Sequence, residues 1–215
     1  MEAGSKNRSN IQLYNIDCME YMKTCKDKQF DLAIVDPPYG IGAAAMTMGK
    51  GSRNSSGKNK RKQWDSKTPK KEYFNELIRI STNQIIWGGN YFLDFLSSTR
   101  CFLLWDKLDY NSDFASHELA WTSFNKNVKC FRKSRNKGYE IKIHPTQKPI
   151  ALYKWLLKNY AKESDTILDT HLGSGSIAIA CDDLGFDLVG CELDKEYYDN
   201  AVKRLEKHRS QLKMW

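Results

Sequence analysis

The tetrad Asp36-Pro37-Pro38-Tyr39 sets a carboxylate, two consecutive prolines and an aromatic ring side by side, directly after the apolar run 31–35 (DLAIV). Consecutive prolines fix the backbone and remove two N–H donors, leaving carbonyls that accept hydrogen bonds and donate none. A compact acceptor beside a stacking surface suits an exocyclic aromatic amine. The lone pair of such a nitrogen is delocalised into its ring, and acceptors that hold its N–H groups favour the pyramidal, nucleophilic form. The plainer reading of the same residues is a proline turn that ends a strand.

A second group lies near the C-terminus. The segment 169–176 (DTHLGSGS) follows a strand pattern and opens a helical one. Gly173 and Gly175 would let backbone approach a ligand closely, and Glu192 stands 19 residues beyond Gly173, at the end of the next strand pattern. An acid at that place is positioned for ribose hydroxyls. The third glycine of a dinucleotide fingerprint is missing, so a nucleoside with an amino-acid tail fits at least as well as a pyrophosphate. A tight turn before a helix capped by Asp194 is the structural alternative. The hexapeptide 144–149 (HPTQKP) is a third group; with the tetrad it holds four of the five prolines. It could equally be a rigid helix entry with Lys148 solvated. Asp17, three residues before Glu20, serves either a helix cap or a ligand, and the two roles are compatible.

Charge adds a partner. The chain of 215 residues carries a net +8. Nine Lys/Arg stand against the single Asp65 in residues 50–71, and seven against Glu140 in residues 126–142. The remainder is therefore net acidic. Two basic segments on an acidic body suit a polyanion, because each neutralised phosphate releases counterions; solvated loops would look the same. Other classes fall away. No run reaches about 18 apolar residues, so no membrane span is expected, and the polar N-terminus argues against a signal peptide. The six cysteines (18, 25, 101, 130, 181, 191) form no CxxC pair and the four histidines are dispersed. Reduced thiols in a cytoplasmic protein are expected, and no metal.

These residues need a frame, and the periodicity supplies one. Strand patterns fall at 11–14, 31–35, 84–87, 101–105 and 165–169, and in the segments HELAWTSF, NVKCF and FDLVGC. Helical patterns fall at 17–25, 70–80, 148–161 and 194–209 and in SIAIACDDL, with a short aromatic helix near 90–97. In the 70–80 helix the expected apolar face is Tyr73, Phe74, Leu77 and Ile78. Alternating strands and helices argue for a doubly wound, mostly parallel α/β sheet. One domain over 1–215 is expected, with a basic, mobile loop at about 41–71 and a short target-recognition insertion at about 106–143.

DPPY near the N-terminus, HPTQKP near residue 145 and D-x-x-x-G-x-G after it resemble, in that order, the beta-group amino-methyltransferases of DNA. IIWGGNYF (85–92) and ELAWTSF (118–124) are similar to small phage and prophage adenine enzymes of that group. The similarity covers most of residues 11–208. It departs at Thr170 and His171, which replace the usual proline and aromatic, and in the shortness of the 106–143 stretch. The resemblance implies a circularly permuted, Rossmann-like, seven-stranded sheet and S-adenosylmethionine as cofactor. It assigns catalysis to Asp36, Pro37, Pro38 and Tyr39: the Asp36 carboxylate and Pro37 carbonyl hold the target amine while Tyr39 stacks on a flipped-out base. It places the cofactor against Asp17, Cys18, Asp36, His144, Thr146, Gln147, Lys148, Asp169, His171, Gly173, Gly175 and Glu192. Arg53, Lys58, Lys60, Arg61, Lys62, Lys133 and Arg135 are the expected DNA contacts, and a homodimer suits so small a chain. Adenine N6 is the expected target, since the tetrad begins with Asp. Cytosine N4, an RNA or protein-amide acceptor and a catalytically silent nucleic-acid-binding module are the alternatives.

Overall fold

The run 30–35 (FDLAIV) is apolar on alternate positions of both faces, as a strand covered on both sides must be. In the computed structural model it is the centre of the sheet. The structure describes residues 9–41, 65, 67–110, 115–134, 143, 144 and 146–211. Arg53, Lys58, Lys60, Arg61, Lys62, Trp64 and Arg135 lie outside the described residues, as does most of the expected 41–71 loop.

Among the described residues, eight strands and five helices are laid out along the chain. The strands are β1 (Ile11–Tyr14), β2 (Phe30–Val35), β3 (Ser81–Trp87), β4 (Phe102–Asp106), β5 (His117–Thr122), β6 (Lys129–Arg132), β7 (Thr166–Asp169) and β8 (Asp187–Cys191). The helices are α1 (Cys18–Lys23), α2 (Lys71–Ile80), α3 (Ile150–Tyr160), α4 (Ser176–Leu184) and α5 (Lys195–Gln211). The strand order is β1-β8-β7-β2-β3-β5-β4-β6, and every neighbouring pair is parallel except those made by β5. The sheet thus has eight strands and not the seven that the resemblance implies. The additional one is β6, which pairs with β4 through Leu103–Lys129 to Asp106–Arg132 and covers what would be an open edge. Exposed Lys129 and Arg132 on that edge strand disfavour further pairing.

Alternation along the central strands sorts the core into two layers. Leu32, Ile34, Ile85 and Trp87 point to the layer built with α3, α4 and α5, while Ala33, Val35 and Ile86 point to the layer with α1 and α2. Each fully buried large side chain in these layers stabilises the fold by roughly 1.5–3 kcal/mol relative to exposure. On α2 the buried face is Tyr73, Phe74, Leu77 and Ile80, whereas Ile78 is 38% exposed. One residue past Leu77 is a rotation of about 100°, which carries Ile78 off the core-facing stripe. The aromatic segment after β3 is a single 3-10 turn, Gly89–Tyr91, and not a helix reaching residue 97.

The sheet reverses its winding between β7 and β2. From β7 the chain passes through α4 to β8 on one side; from β2 it passes through α2 to β3 on the other. The crevice outside the carboxyl ends of these two strands is where open α/β sheets bind ligands. Asp169 ends β7 and Asp36 follows β2, so both acids stand at that opening.

Gly88 closes β3 with φ +67, a left-handed conformation that favours glycine. A Cβ there would overlap the Tyr39 ring at Cε1, so that ring is seated on bare backbone. Gly88→Ala is expected to push Tyr39 off this seat and to cost about 1–3 kcal/mol of stability, the range for overpacking or a strained left-handed residue. Thermal unfolding measures the loss; an unchanged midpoint would show that the ring has room to shift.

Candidate active site

The tetrad leaves β2 and turns its two functional side chains toward each other. The Tyr39 hydroxyl donates to Asp36 Oδ1 at 2.5 Å. Lys148 Nζ donates to Asp36 Oδ2 at 2.5 Å. The same ammonium is 3.0 Å from Glu118 Oε2, and Glu118 Oε1 is 2.7 Å from Lys107 Nζ. Two carboxylates and two ammonium groups therefore alternate in one chain, Asp36–Lys148–Glu118–Lys107. The Lys148 side chain is 2% exposed, so its charge is carried by these partners and not by water. It also lies over the Trp87 ring, 5.3 Å from the centroid.

Burial and the network pull these groups in opposite directions. Burial pushes the Asp36 carboxyl up, while the Lys148 ammonium draws it back and the Glu118 charge adds to the rise. Burial would also raise Glu118, but Lys148 and Lys107 hold it below the usual carboxylate range. Burial would lower Lys148, but Asp36 and Glu118 outweigh it and keep the ammonium. Tyr39 is raised well above a free phenol, by burial first and the Asp36 charge second, so its hydroxyl stays a donor.

Tyr39 also presents a stacking surface. Half-exposed Tyr91 lies nearly parallel to it, with centroids 5.1 Å apart and 16° between planes, and buried Phe92 meets its edge. Past the tetrad, Gly40 takes φ +72 and its N–H donates to Asp65 Oδ1 at 2.9 Å. The one acid of the basic stretch is thus buried and tied to the tetrad.

The second wall of the crevice is the turn between β7 and α4. Gly173 (φ +52) donates its N–H to Glu192 Oε2 at 2.8 Å, and Asp194 N–H donates to Oε1 at 2.9 Å. Glu192 thereby braces the glycine turn and the start of α5 with one oxygen each. Gly175 (φ +69) packs against α5: a Cβ there would be 3.0 Å from that of Ala201. Its requirement is close packing, whereas a Cβ at Gly173 would stand an ordinary 3.8 Å from the His144 ring. Asp194 caps α5 through Glu196 and Tyr197 N–H, and Asp17 caps α1 through Met19 and Glu20 N–H. Cys18 beside it is a thiol pushed up to about 12 by burial and the Asp17 charge.

Thr170 and His171 form a chain with α2. The Tyr73 hydroxyl and Thr170 Oγ1 are 2.6 Å apart, and Thr170 Oγ1 is 2.9 Å from His171 Nδ1. Burial lowers His171 to about 4, so the ring is neutral and fills its aromatic position as an imidazole. Asp169, 1% exposed, is raised to about 8, by burial first, and accepts the His171 N–H at 3.0 Å. In the hexapeptide, the His144 ring meets Tyr197 at 4.3 Å, Thr146 Oγ1 is 3.1 Å from His144 Nδ1, and Gln147 Oε1 accepts the Ile143 N–H. His144, Thr146 and Gln147 thus stay on the glycine-turn side, while Lys148 crosses to Asp36.

The structure brings Asp36, Tyr39 and Lys148 into contact and sets Asp169, His171, Gly173 and Glu192 across the opening. Lys133 stands apart on the β6 side, its backbone bonded to Asp106 O and Trp105 Nε1. Sequence reasoning missed Glu118, Lys107 and Gly88. A signal existed for Glu118, the one acid in the otherwise apolar segment ELAW. Among the described residues no group of three or more His, Cys, Asp or Glu could hold a metal, and no helix is long and apolar enough to cross a membrane.

The chain is 40% identical over 65 residues to type II methyltransferase M.HpaI of Haemophilus parainfluenzae, a match covering 30% of this chain and 21% of that protein. It is 24% identical to M2.DpnII of Streptococcus pneumoniae, over 93% of this chain and 91% of the relative. Two solved structures share the fold with a TM-score of 0.63. One is the M1.HpyAVI–SAM complex (24% identity, 91% of this chain and 98% of that one). The other is the cytosine-N4-specific PvuII DNA methyltransferase (13% identity, 95% and 92%). The DNA methylase profile for N6 and N4 amino-methyltransferases matches residues 85–203, more than half of the chain. The chain belongs to that family of S-adenosylmethionine-dependent DNA methylases.

Proposed function

We propose that this chain methylates the 6-amino group of adenine in DNA, on a base flipped out of the duplex. The observation that carries the reading is Asp36, a carboxylate at the head of the Pro-Pro-Tyr tetrad, held at the switch point with both oxygens oriented by partners. Its remaining lone pairs and the Pro37 carbonyl accept the N–H groups of the amine. Tyr39, which already stacks on Tyr91, offers a π-face to the base. A base inside a helix cannot reach so enclosed a carboxylate, which is why extrusion belongs to the reading. Cytosine N4 is the competing target, the one named for the PvuII enzyme that shares the fold.

The residues opposite Asp36 fit the cofactor. Glu192, which accepts one backbone N–H on each oxygen, is the acid that this reading sets against the ribose hydroxyls. Asp169 is a nearly inaccessible acid whose ionisation awaits a cation, and the ammonium of a methionine tail is one. When bound, S-adenosylmethionine supplies a methyl group on a sulfonium, with a neutral thioether as leaving group. The protein's part is positioning: Asp36 and Tyr39 hold amine and ring, and Asp36 is the nearest base for the proton that the methylated nitrogen sheds. A homodimer belongs to the same reading, because one such domain covers little DNA.

Asp36→Ala is expected to abolish methyl transfer while cofactor affinity stays within about twofold, since Asp36 is assigned to the amine. Tritium transfer from labelled cofactor, followed by nucleoside analysis, reads turnover and product together. N4-methylcytosine in place of N6-methyladenine would decide for the alternative target.

Glu192→Ala is expected to weaken cofactor binding by about 1–3 kcal/mol, the scale of leaving hydroxyls without a charged acceptor. Calorimetric titration would show this, and an unchanged affinity would reduce Glu192 to a brace of the turn.

The basic residues 60–62 extend the reading to phosphate. Replacing Lys60, Arg61 and Lys62 with alanine should weaken cognate and non-cognate duplexes alike and flatten the log–log salt slope by about one unit for each phosphate no longer neutralised. Binding measured at several salt concentrations tests it. An unchanged slope would make this stretch a solubility feature.

A further inference from the structure

The lysine of the hexapeptide is the residue whose place departs most from what the resemblance implies. All three hydrogens of its ammonium have neighbours within the tetrad's own surroundings. Nζ is 2.5 Å from Asp36 Oδ2, 3.0 Å from Glu118 Oε2 and 3.5 Å from the Tyr39 hydroxyl. The rings of Trp87 and Tyr39 lie 5.3 Å and 5.9 Å away and close the remaining approach. With 2% of the side chain exposed, no cofactor group reaches this nitrogen without displacing one of them. Glu118 is itself positioned from behind by Lys107 at 2.7 Å. Its Oε2 is buried and pairs with Lys148 by charge, without the alignment of a hydrogen bond. An anchored anion, a cation and a second anion in succession, each within 3.0 Å of the next, form a strut.

We propose that Lys148 is a positioning residue for methyl transfer: braced by Glu118, its ammonium holds Asp36 Oδ2 so that the carboxylate faces the amine, and it takes no part in holding the cofactor. This rests on Asp36 being the acceptor of the amine. The consequence is electrostatic as well as geometric. Asp36 is pushed up by burial and by Glu118, and Lys148 is the opposing cation. The charged and titratable groups facing the pair are Tyr39 after β2, Glu118 on β5, Lys107 after β4, Asp169 at the end of β7 and Tyr153 on α3. Among these, Lys107 pairs with Glu118, so removing Lys148 leaves Asp36 facing acids and phenols. Its carboxylate form then requires a higher pH, and the acidic limb of the rate profile moves up.

The test is single-turnover methyl transfer by the full chain as a function of pH, with cofactor affinity measured on the same samples by calorimetry. Lys148→Met is expected to lower turnover at neutral pH about tenfold or more, to move the acidic limb upward by about one unit or more, and to regain rate as pH rises. Cofactor affinity should stay within about twofold, a kcat effect without a matching loss of binding. Lys148→Arg keeps the cation and should return the limb toward its wild-type position, which a variant damaged merely in packing would not do. Glu118→Gln removes an anion that raises Asp36, so its limb should stay in place or move down. Circular dichroism and thermal unfolding verify that each variant is folded; if Lys148→Met does not fold, the Lys148→Arg and Glu118→Gln profiles decide. An acidic limb unmoved in Lys148→Met, or one raised by Glu118→Gln, would overturn the strut. So would a cofactor affinity abolished with the rate at saturation intact, which would return Lys148 to the cofactor. Asp36→Asn serves as the separate control: turnover preserved there would sink the assignment of Asp36 itself, whatever Lys148 does.

Discussion

An ammonium group with almost no access to water is tolerable in a protein interior when fixed anions surround it, and Lys148 meets that condition between Asp36 and Glu118. The three residues come from positions 36, 118 and 148, on segments that a sheet alone can bring together. Asp36 is delivered by the end of β2, Glu118 by the start of antiparallel β5, and Lys148 by the entry to α3. Removing one member would leave a buried charge without its partner, which costs far more than the pair gains. The register of β5 against β4, with Glu118 opposite Trp105, is therefore tied to the ion pair of Asp36 at the end of β2. The reversed direction of β5 follows naturally. It presents its first residues, not its last, at the carboxyl ends of its antiparallel neighbours β3 and β4.

The other wall of the crevice is built differently. There the fixed elements are backbone groups, arranged by two left-handed glycines and braced by Glu192. A carboxylate bonded to two backbone N–H groups is held in place before any ligand arrives. A structural role for Glu192 is thus no argument against a binding one. Asp17 follows the same logic at the start of α1, where its cap directs one oxygen into the helix.

What can be read in the sequence is local. The run DLAIV stops at Pro37 because proline cannot continue a ladder, and β2 ends at Val35. Glu192 can be placed from Gly173 by spacing, because a strand–turn–helix–strand unit has little freedom in length. Ile78 escapes such reasoning because an apolar residue at the edge of a helical stripe is compatible with either side, and packing decides. The strand count fails differently: NVKCF carries a strand pattern, but a seven-stranded frame leaves it without a place. Glu118 and Lys107 are illegible for a physical reason. A charged residue at a strand end reads as solvated until a distant segment supplies the opposite charge, and Lys148 is 30 residues from Glu118 in the chain.

The two uses of charge in this chain differ in range. Within the site, charges alternate and cancel over a few ångströms, where low dielectric makes each contact directional and insensitive to salt. Beyond it, basic residues concentrate in two segments on an otherwise acidic chain. Not all of the second segment is available to a partner. Lys126 and Lys129 bond to Asn159, and Arg132 lies 3.4 Å from Asp106. These contacts fasten β6 to the body of the domain. The larger excess of positive charge belongs to residues 50–71, where Asp65 connects the basic stretch to the turn of the tetrad through Gly40. The basic stretch and the tetrad are thus consecutive in the chain, and the hydrogen bond from Gly40 to Asp65 links them.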